Sequence, residues 1–188
     1  MTLHRAGTEV QYTVTFLEMT ERPSYGWPVA PAGMDGALLR AEAPPVWYFL
    51  SLYDAVGRDY AWTDIHDREH DDIATWLADP DVALWSLIQH GWPHGFFVLD
   101  FRAAAVAELA YFGLVPQVVG RGFGSWLLRT AVLTAWERPG LEKLCVNTCT
   151  LDHPRALVQY QRFGFSVVRR EEHSRMLTRD IDFSRIPD

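Results

Sequence analysis

Apolar positions along this chain fall into two rhythms. VQYTVTFLEM (Val10 to Met19) alternates in part and is rich in β-branched and aromatic residues, which predicts a first strand. ERPSYGWPVAPAGMDG then brings Pro or Gly every few residues and predicts a long loop, of a length that is often functional. In VWYFLSLYDAVGRDY (Val46 to Tyr60) the positions Phe49, Leu50, Leu52, Tyr53 and Val56 form a helical stripe. A short second helix is expected from Asp71 to Leu77, started by Asp71 and Asp72 and stopped by DPD at 79–81. VALWSLIQHGWPHGFFVLDF predicts two strands joined by the turn HGWPH, with His90 and His94 as turn residues. VAELAYFGLVP (Val106 to Pro116) is so nearly apolar that a strand covered on both faces is expected.

VVGRGFGSWLL, Val118 to Leu128, carries three glycines in five residues. A helix is predicted after it, from Ser125 to Trp136, with Leu127, Leu128, Ala131, Val132 and Ala135 on one side and RPG (138–140) at its end. KLCVNTCTL predicts another strand. HPRALVQYQRFGF predicts a helix with Pro154 in its first turn and Gly164 as its stop. Two short strands, around Ser166–Arg170 and Arg175–Asp180, close the chain as a hairpin. There is no internal repeat and no dividing linker, so residues 1–188 are expected to form one domain. Its order is strand, helices, three or four antiparallel strands, helix, parallel strand, helix, hairpin: an α/β (α+β) fold with a mixed sheet.

Composition adds exclusions. With 188 residues, 48% hydrophobic and 22% charged, the chain suits one folded domain with a sizeable core. Eight tryptophans hint at an aromatic-lined surface. A net charge of −7 leaves no basic stripe to neutralise phosphates, so no nucleic-acid partner is expected; an acidic surface weakly favours cationic ligands. Cys145 and Cys149, on one strand, would stand about 13 Å apart on the same face, too far for a bridge. Two lone thiols fit a reducing compartment. Residues 1–9 carry no apolar signal core, and the run from Ala103 to Pro116 is broken by Glu108 and too short to span a bilayer. A soluble cytoplasmic protein is expected, with no membrane partner.

The glycine turn is where chemistry shows. A strand, a Gly-rich turn and a helix N-terminus make an anion site, because N–H groups without helical partners point outward and the helix dipole favours negative charge. Arg121 adds a cation. The Walker pattern is absent, since Gly124-Ser125 lacks its lysine. A dinucleotide fingerprint would space its third glycine differently; Asp152 does stand where that fold wants an acid, but only one parallel unit exists here. VGRGFG instead resembles the Arg/Gln-x-x-Gly-x-Gly/Ala loop of the GNAT (Gcn5-related) N-acetyltransferases. Val119 stands in place of the usual Arg or Gln, and Arg121, Gly122, Phe123 and Gly124 are in register. DHPRALVQYQRFGF is similar to a later motif of the same family through Ala156, Tyr160, Gly164 and Phe165, with His153 in place of a frequent Asn.

The resemblance implies a GNAT fold: a mostly antiparallel sheet of about seven strands, splayed between strands 4 and 5 and flanked by about four helices. Residues 1–95 would be the variable acceptor side, 96–165 the acetyl-CoA-binding core and 166–188 C-terminal strands. It implies acetyl-CoA as cosubstrate, its pyrophosphate on Val119, Gly120, Arg121, Gly122, Phe123, Gly124 and Ser125. His153 and Ala156 would line its course, and an oxyanion donor would come from the backbone near Phe112, Gly113 and Leu114. The pantetheine arm would lie between the Glu108 strand and KLCVNTC like an added strand. Glu108, a lone carboxylate in an apolar strand, is the candidate base, although many members deprotonate through a water chain. Tyr160 is the candidate acid.

The implied activity is acetyl transfer to a primary amine by direct attack in a ternary complex. A small cationic amine is the favoured acceptor, with protein lysine or N-terminal acetylation and a non-catalytic acetyl-CoA-binding regulator as alternatives. A homodimer is compatible with the family. DYAWTDIHD mixes rings and carboxylates that suit an amine, which makes Tyr60, Trp62 and Asp64, with Trp27 of the YGWP loop, candidate acceptor residues. HDREH (His66 to His70) matches a zinc pattern on paper. It lies amid charges with no evident third ligand, so no metal is expected.

Overall fold

The computed structural model describes residues 3–186. Its elements run β1 (Leu3–His4), β2 (Glu9–Met19), β3 (Ala37–Ala41), α1 (Val46–Gly57), α2 (His70–Ala78), β4 (Val82–Gln89), β5 (Trp92–Ala103), β6 (Val106–Leu114), α3 (Phe123–Trp136), β7 (Lys143–Cys149), α4 (Ala156–Arg162), β8 (Ser166–Met176) and β9 (Ile181–Asp182). Seven strands form the main sheet in the order β3-β4-β5-β6-β7-β2-β8, and β1 and β9 make a two-stranded accessory sheet. Every pairing in the main sheet is antiparallel except β6 with β7. The mixed sheet with four α-helices is the expected architecture; the splay falls between the sixth and seventh strands in chain order.

The core forms because each helix carries its apolar stripe to the sheet. In α1 the buried residues Phe49, Leu52, Tyr53 and Val56 recur at three- and four-residue spacing. In α2, Ile73 and Leu77 do the same, and Asp71 and Asp72 sit in the first turn, where the helix dipole favours acids. α3 is buried nearly all round, through Phe123, Leu127, Leu128, Ala131, Val132 and Ala135 among others. These side chains meet Phe96, Phe97, Val98 and Leu99 of β5 in one core.

Several elements differ from the sequence reading. The turn between β4 and β5 is only His90-Gly91, both at positive φ (53° and 84°). A two-residue loop of that kind matches the twist of its strands. His94 is therefore a buried strand residue, 3% exposed, and not a turn residue. β3 was hidden in a segment punctuated by Gly and Pro. The C-terminal hairpin is instead one strand, β8, of 11 residues paired along β2, with β9 leaving to pair β1. The charged EEHS between the two expected strands continues the strand, since a sheet edge needs only one pairing neighbour. α3 begins at Phe123 and α4 at Ala156, so Pro154 lies in the turn before its helix. β6 is not covered on both faces: Glu108 is exposed and Tyr111 to Leu114 are half-buried.

Gly113 of β6 lies under α1, and a Cβ there would come 2.3 Å from Val56 Cγ1. Val56 is 2% exposed and stiff at χ1, so it has no free room to yield. Gly113→Ala is expected to cost about 1–3 kcal/mol in denaturant unfolding, as overpacking does. Val56→Ala in the same chain should lower the penalty of the added methyl, a coupling read from the double-mutant cycle.

Candidate functional site

The sheet opens at one place. β6 and β7 pair only at Val106↔Lys143, Ala107↔Leu144 and Glu108↔Cys145, and then part. Each stays in the sheet through its outer neighbour: β6 is paired to β5 as far as Leu114, and β7 to β2 as far as Cys149. Two facing strand edges are thereby left without each other. A cleft of about 810 Å³ fills the gap and runs to both ends of it, within the range of ligand sites.

A bulge sets what β6 presents there. Val98 pairs Tyr111 but Leu99 pairs Leu109, so Ala110 has no partner. Regular alternation would turn Glu108 and Tyr111, three apart, to opposite faces; the extra residue brings them to the same one. Tyr111 packs among Phe49, Tyr53, Trp62 and Trp76, at centroid distances of 5.2 to 6.0 Å. Glu108 lies beside them, open to the cleft but ringed by protein. Burial raises its pKa first and Asp100 raises it further, against the pull of Arg102 and Arg68. Asp100 is itself tied up by Arg102 (2.7 Å) and Trp76 Nε1 (2.9 Å). Asn147 of β7 reaches Glu108 Oε1 across the fork at 3.5 Å, a marginal contact.

At the other end stands the glycine turn. Gly120 (φ 84°) and Gly122 (φ 82°) are left-handed, where glycine carries no steric penalty. Gly122 is the N-cap of α3, with no side-chain cap. The first N–H groups of the helix thus have neither intrahelical partner nor capping oxygen. Val119, Gly120, Gly122, Gly124 and Ser125 line the cleft. Arg121 is exposed outside that lining, and the Phe123 ring is buried, tilted against His94 at 6.3 Å.

One carboxylate joins the walls. Asp152 accepts Trp62 Nε1–H at 2.9 Å, Thr148 Oγ1–H at 2.8 Å and the Cys149 N–H at 2.9 Å. It follows β7 directly, so it ties the far strand of the fork to the loop after α1. Near it, burial and then Asp152 push the Cys149 thiol up to about 12 and raise Tyr160 above the usual phenol range. Tyr160, 7% exposed, reaches the cleft from α4 and packs on Phe112 (6.4 Å) and Phe165 (5.9 Å).

The loop carrying Tyr60, Trp62 and Asp64 has little regular structure of its own. It is held from the C-terminus. Arg179 Nη2 donates to the carbonyls of Gly57, Tyr60 and Trp62 at 2.9 to 3.2 Å. Arg175 donates to Ala61 O and Thr63 Oγ1. Ala61 is buried with Val10, Leu151, Leu177 and Ile181 in a second small core. Tyr60 lies near His153, ring centroids 6.4 Å apart, and burial pushes its phenol up to about 12.

The sequence model of the acetyltransferase (GNAT) family matches residues 49–165, more than half of the chain. The chain belongs to that family. Among solved structures, a GCN5-related N-acetyltransferase from Sphaerobacter thermophilus aligns at TM-score 0.59 and 17% identity, over 93% of this chain and 53% of that one. Its counterpart from Kribbella flavida aligns at 0.56 and 17%, over 86% and 56%. An IAA acetyltransferase from Bacillus cereus aligns at 0.52 and 24%, over 72% and 79%. The GNAT chain described here therefore spans about half the length of the first two. At such identities these likenesses speak for the fold alone. No curated protein matches the sequence.

Against this GNAT frame, the cleft gathers most of the residues singled out from sequence. Glu108, Phe112, Gly113, Leu114, His153, Ala156 and Tyr160 all line it, as do Tyr60, Trp62 and Asp64. Trp27 does not join them. It is 53% exposed, on a segment pinned along α3 by Arg129 Nε to Gly26 O and by Arg129 stacked over Tyr25. The HDREH string gathers no ligand set either. His66 pairs with Asp54 at 2.7 Å and His70 opens α2; among the described residues no group of three or more His, Cys, Asp or Glu could hold a metal. Nor is any described helix long and apolar enough to cross a membrane.

The sequence reading passed over Tyr111, Asn147 and the bridging role of Asp152. Asp152 had a local signal: three residues after Cys149 and four after Thr148, it is placed to accept from a strand end that turns back.

The raised pKa of Glu108 has a consequence for stability. A carboxylate held above its unfolded value stabilises fully below that unfolded value, and the contribution is lost as pH rises through the folded one. Glu108→Gln should therefore melt at or above the parent at pH 8, and the difference should shrink or reverse toward pH 4, in paired thermal scans.

Proposed function

We propose that this protein is an N-acyltransferase moving an acetyl group from acetyl-CoA to a primary amine. The observation that carries the reading is the fork itself. It leaves backbone edges of β6 and β7 facing a cleft that begins at the uncapped N-terminus of α3 and ends at Glu108. An extended pantetheine chain fits between such edges as an added strand, with its pyrophosphate on the glycine turn. The geometry of the donors fits backbone readout: Arg121 and Phe123 would serve through main-chain N–H groups, since neither side chain lines the cleft.

Acetyl-CoA supplies an activated acyl thioester at the fork. The chain's own groups do the rest. Glu108 accepts the proton of the incoming ammonium, directly or through one water, and its raised pKa makes it a better base than an ordinary surface carboxylate. The bulge at Ala110 frees β6 backbone N–H groups to face a developing oxyanion, a role the sequence reading gave to the stretch from Phe112. Tyr160, kept protonated by burial, gives a proton to the departing sulfur. Attack is direct. Cys149 lines the cleft, but with its thiol pushed up to about 12 it offers almost no thiolate at neutral pH. Tyr60, Trp62, Tyr111 and Asp64 form the acceptor end.

The decisive experiment is a melting shift with acetyl-CoA, followed by free-thiol release across an amine panel. A saturating ligand at 100 times its Kd stabilises by about 2.7 kcal/mol, which a thermal scan resolves. No shift overturns the reading. Tyr160→Phe and Glu108→Gln should keep the shift. Each should lower kcat by about 10²-fold or more, as loss of acid–base groups does. In Glu108→Gln the acid limb of the kcat profile should flatten. A binding-only regulator would show the shift and no thiol release.

A further inference from the structure

Arg102 and Arg68 act on Glu108, and Arg175 lines the same cleft; two of these three are committed. Arg102 is paired with Asp100 by Nε at 3.0 Å and Nη2 at 2.7 Å. Arg175 is spent on Ala61 O and Thr63 Oγ1. Arg68 differs. It follows the short 3-10 turn Asp64–Asp67, is exposed and lines the cleft. It lies close enough to act on both Glu108 and Tyr111. Yet its guanidinium makes no hydrogen bond or ion pair with any described residue, Glu108 and Asp64 included.

The carboxylates nearby are mostly occupied in turn. Asp100 holds Arg102 and Trp76, and Asp64 Oδ1 accepts Tyr53 O–H at 2.8 Å. The carboxylates of Glu108, Asp100 and Asp64 thus share the cleft with the cations of Arg102 and Arg68. Arg68 and Glu108 line the same cleft without pairing, together with the rings of Trp62, Trp76 and Tyr111.

Resting on the transferase reading, we infer that the acceptor is an amine that also bears a carboxylate, an amino-acid-like zwitterion, with Arg68 taking the carboxylate and Glu108 facing the amine. The planar guanidinium binds a carboxylate by two parallel hydrogen bonds. That fixes the amine's position relative to the base, which an aromatic wall alone does not do. Arg68 is a specificity residue in this scheme, not an acid or base.

The test uses the full chain and matched acceptors: L-phenylalanine against phenethylamine, L-tryptophan against tryptamine, and L-lysine against cadaverine, each read by thiol release. At least one carboxylate-bearing member should exceed its decarboxylated partner in kcat/KM by about tenfold or more, the worth of a charge-assisted pair. Arg68→Gln should raise KM for that member about tenfold with kcat little changed, and leave its partner untouched. Arg68→Lys should recover part of the loss. The acetyl-CoA melting shift of Arg68→Gln, equal to the parent's, shows that the variant folds and loads. Equal rates within all pairs, or an Arg68→Gln loss shared by both members, overturns this inference and leaves the transferase standing. No turnover of any member overturns both.

Discussion

The structure depends on two strands that start together and do not stay together. β6 and β7 share three residue pairs and then diverge, so the sheet carries an interior gap instead of a continuous ladder. Backbone groups along such a gap need other partners, because a polar group buried without one is costly. The gap is tolerable because each strand is paired along most of its outer side, to β5 and to β2. It is useful for the same reason. Two rigid, parallel-running edges with free hydrogen-bonding groups form a slot that a strand-like ligand can complete.

What surrounds the slot follows from its position. The bulge at Ala110, just past the last shared pair, brings Glu108 and Tyr111 to one face, and α1 and α2 cover that face with rings. The turn from β6 into α3 places an uncapped helix start at the slot's far end. The remaining wall is the segment 57–64, which has little secondary structure to hold it. Its order is borrowed from Arg175, Arg179 and Asp152, residues more than 85 positions later in the chain. The C-terminal residues thus shape the cleft without being its main lining.

The legible part of this architecture is what local periodicity encodes. The stripe of Phe49, Leu52, Tyr53 and Val56, the apolar face of α3, and Gly120, Gly122 and Gly164 at positive φ are each set by nearby sequence. Long-range pairing was not legible. β8 looked like two strands joined by a charged turn over 171–174, because an edge strand needs only one neighbour and no apolar face, and β3 is short and mostly exposed. His94 looked like a turn residue because HGWPH spreads turn-forming residues over five positions, while His90-Gly91 alone makes the turn. Trp27 shared a composition with the segment 59–67 but not a place in the cleft. Net charge is summed over the whole surface and does not show that Glu108 and Asp64 share the cleft with Arg68 and Arg102.

One physical cause, burial, acts on both groups assigned to proton transfer, and it serves them in opposite senses. Desolvation disfavours the charged form of each, so the Glu108 carboxyl and the Tyr160 phenol are both raised. For a base, the rise moves a carboxylate from far below neutrality toward it and increases its hold on a proton. For the phenol, the same rise keeps its proton in place at neutral pH. Charged neighbours then separate the two. Arg102 and Arg68 offset part of the rise at Glu108, while Asp152 pushes Tyr160 further up. A single partly dry cleft thus raises both the carboxyl of Glu108 and the phenol of Tyr160 among its lining residues.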